Sequence, residues 1–136
     1  MSEKTEIIID ATNGILGRIA SYAAKQALLG RSIVIVNCEA ALLSGKRESI
    51  VREYGLTRRR GGSSLKGPFF PKIAEKVVKR TIRGMLSYTQ QRGTDALKRV
   101  KCYNKLPKEY ESAKKINLIK EMKTRTMNLA ELERVI

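Results

Sequence analysis

At 136 residues, 42% of them hydrophobic, the chain fits one domain around a single core, and that apolar content excludes wholesale disorder. Its formal charge of +15 is concentrated: from Lys46 to Lys101 sixteen lysines and arginines stand against four acids, Glu48, Glu53, Glu75 and Asp95. Such a charge repels itself in a free protein and is relieved by a polyanion, whereas a surface built only for solubility intersperses both signs.

Residues 6–10, EIIID, read as a short apolar strand ending in Asp10. Asn13, Gly14 and Gly17 make a tight turn into a helix whose apolar face is Leu16, Ile19, Ala20, Ala23, Ala24, Ala27 and Leu28. Gly30 is placed to end it, since glycine takes the left-handed conformation cheaply. IVIVN, residues 33–37, is too uniformly apolar for a sheet with one wet face and reads as a strand buried on both sides of a parallel sheet. Strand, helix and strand make a βαβ unit, with a right-handed crossover expected.

EAALLSG, residues 39–45, is a strand or the approach to one, and a helical stretch follows from Lys46 to about Tyr54, with Ile50 and Val51 inward. TRRRGGSSLKGPFFP reads as a basic loop: Gly61, Gly62, Ser63 and Ser64 keep it flexible, while Pro68 and Pro71 stiffen its end. A helix from Lys72 to about Leu86 then places Ile73, Val77, Val78, Ile82 and Met85 on one face. Lys72, Lys76, Lys79, Arg80 and Arg83 fall on the opposite face. One side is built to pack and the other to meet something anionic.

The chain next turns through SYTQQRG. Thr94 caps a short helix with Asp95 in its first turn and Leu97 and Val100 as its apolar face, and Val100 to Tyr103 reads as a last strand. Pro107 ends the compact part, and residues 108–127 are polar and weakly periodic. Asn128 caps a terminal helix that aligns Leu129, Leu132 and Ile136.

The polyanion is expected to be nucleic acid. The polar start MSEKTE has no signal-peptide character, and no apolar run approaches a membrane span. With little aromatic content and nothing like the base-stacking RNP strands, binding should rest on phosphate contacts and fit to a folded RNA shape. Arginine holds phosphate oxygens at two points, and the glycines of the loop let backbone approach RNA closely. Phe69 and Phe70 serve equally well as base-stacking groups or as packing under the helix start. The candidate RNA-binding residues are Arg18, Lys46, Arg47, Arg58, Arg59, Arg60, Gly61, Gly62, Lys66, Lys72, Lys76, Lys79, Arg80, Arg83 and Arg92.

An enzymatic reading stands against this one. NGILGR follows a strand and opens a helix, yet it lacks the third glycine of a dinucleotide fingerprint and the Lys-Ser/Thr ending of a phosphate loop. There is no histidine; Asp10 and Glu39 are the remaining candidate acid–base pair, although Asp10 is well placed to organise the first turn. Cys38 and Cys102 belong to no CxxC pair; buried thiols and a disulfide both fit them, whereas a metal site does not. Saturable mononucleotide binding lost on changing Gly14 or Gly17 would favour the enzyme.

IIIDAT, LGRIASYAAKQALLG, IVIVNCEAALLSG, RRGGSSLKGPFFPKIAEKVVKRTIRGML, QQRG and ALKRVKCYN occur in that order over residues 6–107. Together they resemble the universal large-subunit ribosomal protein L-thirteen family in its archaeal and eukaryotic form. The resemblance implies a three-layer α/β/α fold on a central four-stranded parallel sheet, with a basic loop and a C-terminal helical extension. It implies a cytoplasmic place in the large ribosomal subunit, with large-subunit rRNA and neighbouring ribosomal proteins as partners and a role in early assembly. It implies no catalysis, cofactor, small-molecule substrate or membrane, and no homo-oligomer. The matched positions are the LGR turn (Leu16 to Arg18), the basic loop with KGP (Arg58 to Pro68) and IRGML (Ile82 to Leu86). Ser87 stands where the family commonly has proline, so the long helix is expected to run a little further. Residues 1–107 are expected to form the domain and 108–136 an extension clasping neighbouring RNA or protein.

Overall fold

The computed structural model of the chain describes residues 6–59, 73–117 and 125–135. Strand β1 (Glu6–Asp10) pairs in parallel with β2 (Ser32–Val36), and helix α1 (Leu16–Leu28) joins them. Ile9, Ile33 and Ile35 are buried in the cluster on one face, and Ile8, Val34 and Val36 in the cluster on the other. Two-sided burial explains why the β2 run shows no polar alternation. Strand β4 (Val100–Cys102) joins beside β2 and β5 (Ile116–Asn117) beside β1, giving the parallel order β4-β2-β1-β5.

Helices cover the first face. α1 buries Leu16, Ile19, Ala20, Ala23, Ala24 and Ala27. Its small alanines leave room for α3 (Ala74–Gly84) and α4 (Gln91–Lys98), which both pack on it. Gly30 ends α1 at φ 92°, its amide on the Ala27 carbonyl at 3.0 Å. The second face is covered by residues 103–113, where Tyr103, Leu106, Tyr110 and Ala113 lie over Ile8, Val34 and Val36 and one 3-10 turn forms at Lys108–Tyr110. The fold is therefore mixed α/β on a four-stranded parallel sheet, as expected.

Several boundaries differ from the expectation. EAALLSG does form a strand, β3 (Leu42–Ser44), but it pairs antiparallel with β6 (Thr126–Asn128) in a separate two-stranded sheet. Helix α2 runs Arg47–Arg59, so Thr57, Arg58 and Arg59 continue a helix where the sequence reads loop. The Thr57 hydroxyl donates to the Glu53 carbonyl at 2.9 Å, a bond that lets threonine sit inside a helix. The rest of that loop, 60–72, lies outside the described residues.

Helix α3 stops at Gly84 despite Ser87. Met85 and Leu86 donate to the carbonyls of Ile82 and Arg83, three residues back, and this tightening turns Met85 outward (44% exposed) and Leu86 inward (4%). The chain turns through Ser87 to Gln90 as expected, but Gln91 to Gly93 are the start of α4, and Thr94 lies inside that helix instead of capping it. The reason is at Gly93, where a β-carbon would stand 2.0 Å from the Ser87 carbonyl oxygen. The chain must turn at Ser87 to pass that close. At the C-terminus, Asn128 caps α5 (Leu129–Val135) as expected, accepting from the Glu131 amide at 2.8 Å, and Leu129 and Leu132 are buried.

Gly93→Ala should therefore lose about 3 kcal/mol of stability or more through overpacking, while Gly84→Ala, with nothing within 4 Å of the new carbon, should be neutral or slightly stabilising. Urea unfolding of both variants checks this; a Gly93→Ala protein as stable as the parent would contradict the packing described.

Candidate nucleic-acid interface

Helix α3 carries opposite properties on its two sides. Ala74, Val77, Val78 and Ile82 are buried against the core. At 3.6 residues per turn, Lys76, Lys79, Arg80 and Arg83 fall within one stripe on the far side. Lys76, Arg80 and Arg83 are exposed. Lys79 is half-buried and its ammonium donates to the Val100 carbonyl at 2.8 Å, so this cation ties α3 to β4. The Arg83 guanidinium sits 4.3 Å over the Tyr88 ring.

The remaining candidates are spread over neighbouring elements. Arg18 is exposed on α1, one turn before Ser21, whose hydroxyl reaches the Met85 sulfur at 3.7 Å. That contact sets the edge of α1 beside the end of α3. Lys46 and Arg47 open α2 and line a cleft of about 630 Å³ with Arg52 and Arg125. Arg47 also meets Glu131 at 2.9 Å, an exposed ion pair worth at most about 1 kcal/mol. Arg92 is exposed in the first turn of α4. Arg58 and Arg59 have their backbone in the last turn of α2; their side chains, and Arg60, Gly61, Gly62, Lys66 and Lys72, lie outside the described residues.

The features that suggested an enzyme are occupied by structure. Asp10 accepts from the Thr12 amide at 3.0 Å, the Thr12 hydroxyl at 2.6 Å and the Asn37 side chain at 3.1 Å. Partial burial pushes its carboxyl up, but these donors and the Lys115 ammonium outweigh burial and hold it below the ordinary aspartate range. The Asn13 and Gly14 amides are taken by the Ala40 and Ala11 carbonyls. A β-carbon on Gly14 would meet Ile19 at 2.8 Å, so this glycine serves close turn packing. Cys38 and Cys102 are free thiols; the neighbouring Cys102 and burial together push the Cys38 thiol well up, which makes it a poor nucleophile. Among the described residues no group of acids and cysteines could hold a metal ion, and no helix is long and apolar enough to cross a membrane.

Comparison with known proteins gives the frame for this surface. The family profile described as ribosomal protein L13 matches residues 4–109. The chain belongs to the ribosomal protein L13 family. It is 47% identical over 112 residues to the large ribosomal subunit protein uL13 of Methanosarcina barkeri, covering 82% of this chain and 79% of that protein. The uL13 protein of Archaeoglobus fulgidus is 38% identical over 135 residues, covering 95% of this chain and 86% of its own length. That of Methanococcoides burtonii is 41% identical over 111 residues, with 82% and 79% covered.

Members of the L13 family are structural and non-enzymatic, and so is this chain. Its cation-bearing side includes residues that sequence reasoning missed. Arg52 and Arg125 join Lys46 only because α2 and the chain entering β6 meet in space. Tyr54 and Tyr88 face the same cleft as Arg80 and Arg83, a meeting set by the turn after Gly84. No spacing in the sequence announces either group.

The Asp10 cluster predicts a pH response of this L13-family fold. Because the folded carboxyl is held below its unfolded value, its contribution is fully present above the unfolded range near about pH 4 and is lost as pH falls through the lowered folded value. Asp10→Ala should cost about 1–3 kcal/mol at pH 7 and less at low pH. Denaturation midpoints measured from pH 7 down to pH 2.5 check the sign; an equal cost at both ends would contradict it.

Proposed function

We propose that this L13-family chain, a structural constituent of the large ribosomal subunit in the cytoplasm, binds large-subunit rRNA through phosphate and shape contacts and supports early assembly of that subunit. The observation that carries the proposal is the division of α3: four apolar residues buried on one side, and Lys76, Arg80 and Arg83 exposed on the other. A helix that only needed to pack would gain nothing from aligning like charges, which repel until an anion lies between them. Arg18, Lys46, Arg47 and Arg92 extend the proposed surface, as do Arg58 and Arg59 at the end of α2 and Arg60, Gly61, Gly62, Lys66 and Lys72 from the segment after it. Neighbouring ribosomal proteins are its other proposed partners. In the same proposal residues 1–107 form the rRNA-facing body and residues 108–136 the extension.

Sedimentation of the tagged protein through a sucrose gradient, before and after a high-salt wash, tests the proposal. Binding by phosphate contacts alone weakens by a power of the salt concentration, so a loosely held basic protein should wash off and one built into the particle should stay. Recovery at the top of the gradient at low salt would overturn the proposal. Reversing charge at Arg58, Arg59 and Arg60 should weaken incorporation and leave the fold intact by circular dichroism.

The stripe itself divides into two kinds of residue. Lys76→Ala should lower the salt slope of rRNA binding by about one phosphate's worth with little effect on stability. Lys79→Met should instead cost about 1 kcal/mol of stability, because its ammonium holds the Val100 carbonyl. Urea melts beside salt-dependent filter binding separate the two; the reverse pattern would show that the roles are exchanged.

A further inference from the structure

We infer that the cleft between α2 and α3 receives one unpaired RNA base, stacked on the Arg83 guanidinium where it lies over Tyr88. The inference rests on the rRNA-binding reading and adds direct base contact to a surface otherwise described by phosphates. The cleft has a volume of about 210 Å³ and is lined by Tyr54 and Thr57 of α2, Val77, Arg80 and Arg83 of α3, and Tyr88. That is below the roughly 300–1,000 Å³ of pockets that enclose whole cofactors or drug-sized ligands. It suits one flat ring system whose sugar and phosphates stay outside, within reach of the α3 cations.

The walls fit that occupant. Tyr54 is half-buried and Val77 buried, which makes an apolar floor. Gly84 adds no side chain, and nothing stands within 4 Å of where its β-carbon would be, so the cleft stays open along α3 at that point. Tyr88 is 47% exposed, a large apolar ring left at the rim. Unpaired bases are held in RNA-binding proteins by stacking on aromatic rings or on guanidinium planes, and here the two are already layered at 4.3 Å.

The layering is held in place by backbone. The Tyr88 amide donates to the Leu86 carbonyl at 2.9 Å, and the Gln90 amide donates to Ser87 at the same distance. The Thr94 hydroxyl reaches the Tyr88 carbonyl at 3.0 Å. The turn is further fixed by Gly93 against Ser87. Tyr88 is thus placed before any ligand arrives, which lowers the ordering cost of binding.

Fluorescence anisotropy with the full chain tests this, using pentaadenylate and an abasic ribose oligomer with the same number of phosphates. The parent should prefer pentaadenylate. Tyr88→Leu and Arg83→Lys should each reduce that preference by about 5–100-fold, Tyr88→Phe should retain it, and Arg18→Ala should weaken both probes equally. Equal affinity of the parent for the two probes, or a preference that survives Tyr88→Leu, would overturn the inference. If Tyr88→Leu unfolds, as a thermal melt will show, the exposed Arg83→Lys variant decides on the same terms. A parent that co-migrates with the subunit but shows no base preference overturns the cleft alone. Failure to co-migrate overturns the wider reading.

Discussion

The parallel pairing of β1 with β2 is the contact on which the other elements depend. Its register sets Ile7 beside Ile33 and Ile9 beside Ile35, and alternation then delivers apolar side chains to both faces at once. A one-residue slip would exchange the two faces and mismatch both layers. Because the pairing is parallel, the chain must cross from one end of the sheet to the other, and α1 is that crossover. Each fully buried isoleucine contributes about 1.5–3 kcal/mol, so a few residues of this pair, with Ile19 and Ile82 above them, supply much of the apolar driving force.

Charge is then arranged around that core. Among the described residues the core holds no buried polar or charged side chain, so the excess positive charge is carried at the periphery. Some of its described members serve the fold. Lys79 reaches β4, Arg99 reaches the Ala27 carbonyl at the end of α1 at 2.8 Å, and Lys115 supports Asp10. A cation at a helix C-terminus also meets the negative end of the helix dipole. Many of the described cations stand outward on the surface, where a concentration of like charge favours an anionic partner.

What could be read from the sequence followed from how regular each stretch is. EIIID and IVIV declare themselves because unbroken β-branched runs have few other uses, and the alanine face of α1 repeats at helical spacing long enough to be unmistakable. The stripe on α3 was legible for the same reason. Its end was not, because Met85 keeps helical phase in the sequence while the backbone leaves it at Gly84. Gly93 reads as a turn residue; in the fold it is a helix residue forced small by the Ser87 carbonyl, a contact with no local signature. β5 is two residues long, too short to show any period, and is a strand only because β1 offers it an edge. The family resemblance rested on motif order, and the profile match over residues 4–109 agrees with it.

That last pairing has a consequence for the order in which the molecule is made. Ile9 and its neighbour Ile116 lie near opposite ends of the chain, and Tyr110 reaches back to Glu6 at 3.4 Å. During synthesis β1, α1 and β2 emerge first and can close on one another, but the far edge of β1 has no strand to meet until residue 117 has followed. At about 5–20 residues per second, a newborn chain presents that open edge for several seconds. An unpaired strand edge is a template for any other strand that drifts past. A chain cut short before β5 keeps Ile9 and Asp10 unpaired on that side, so premature termination leaves bare a stretch of strand edge that the full chain covers.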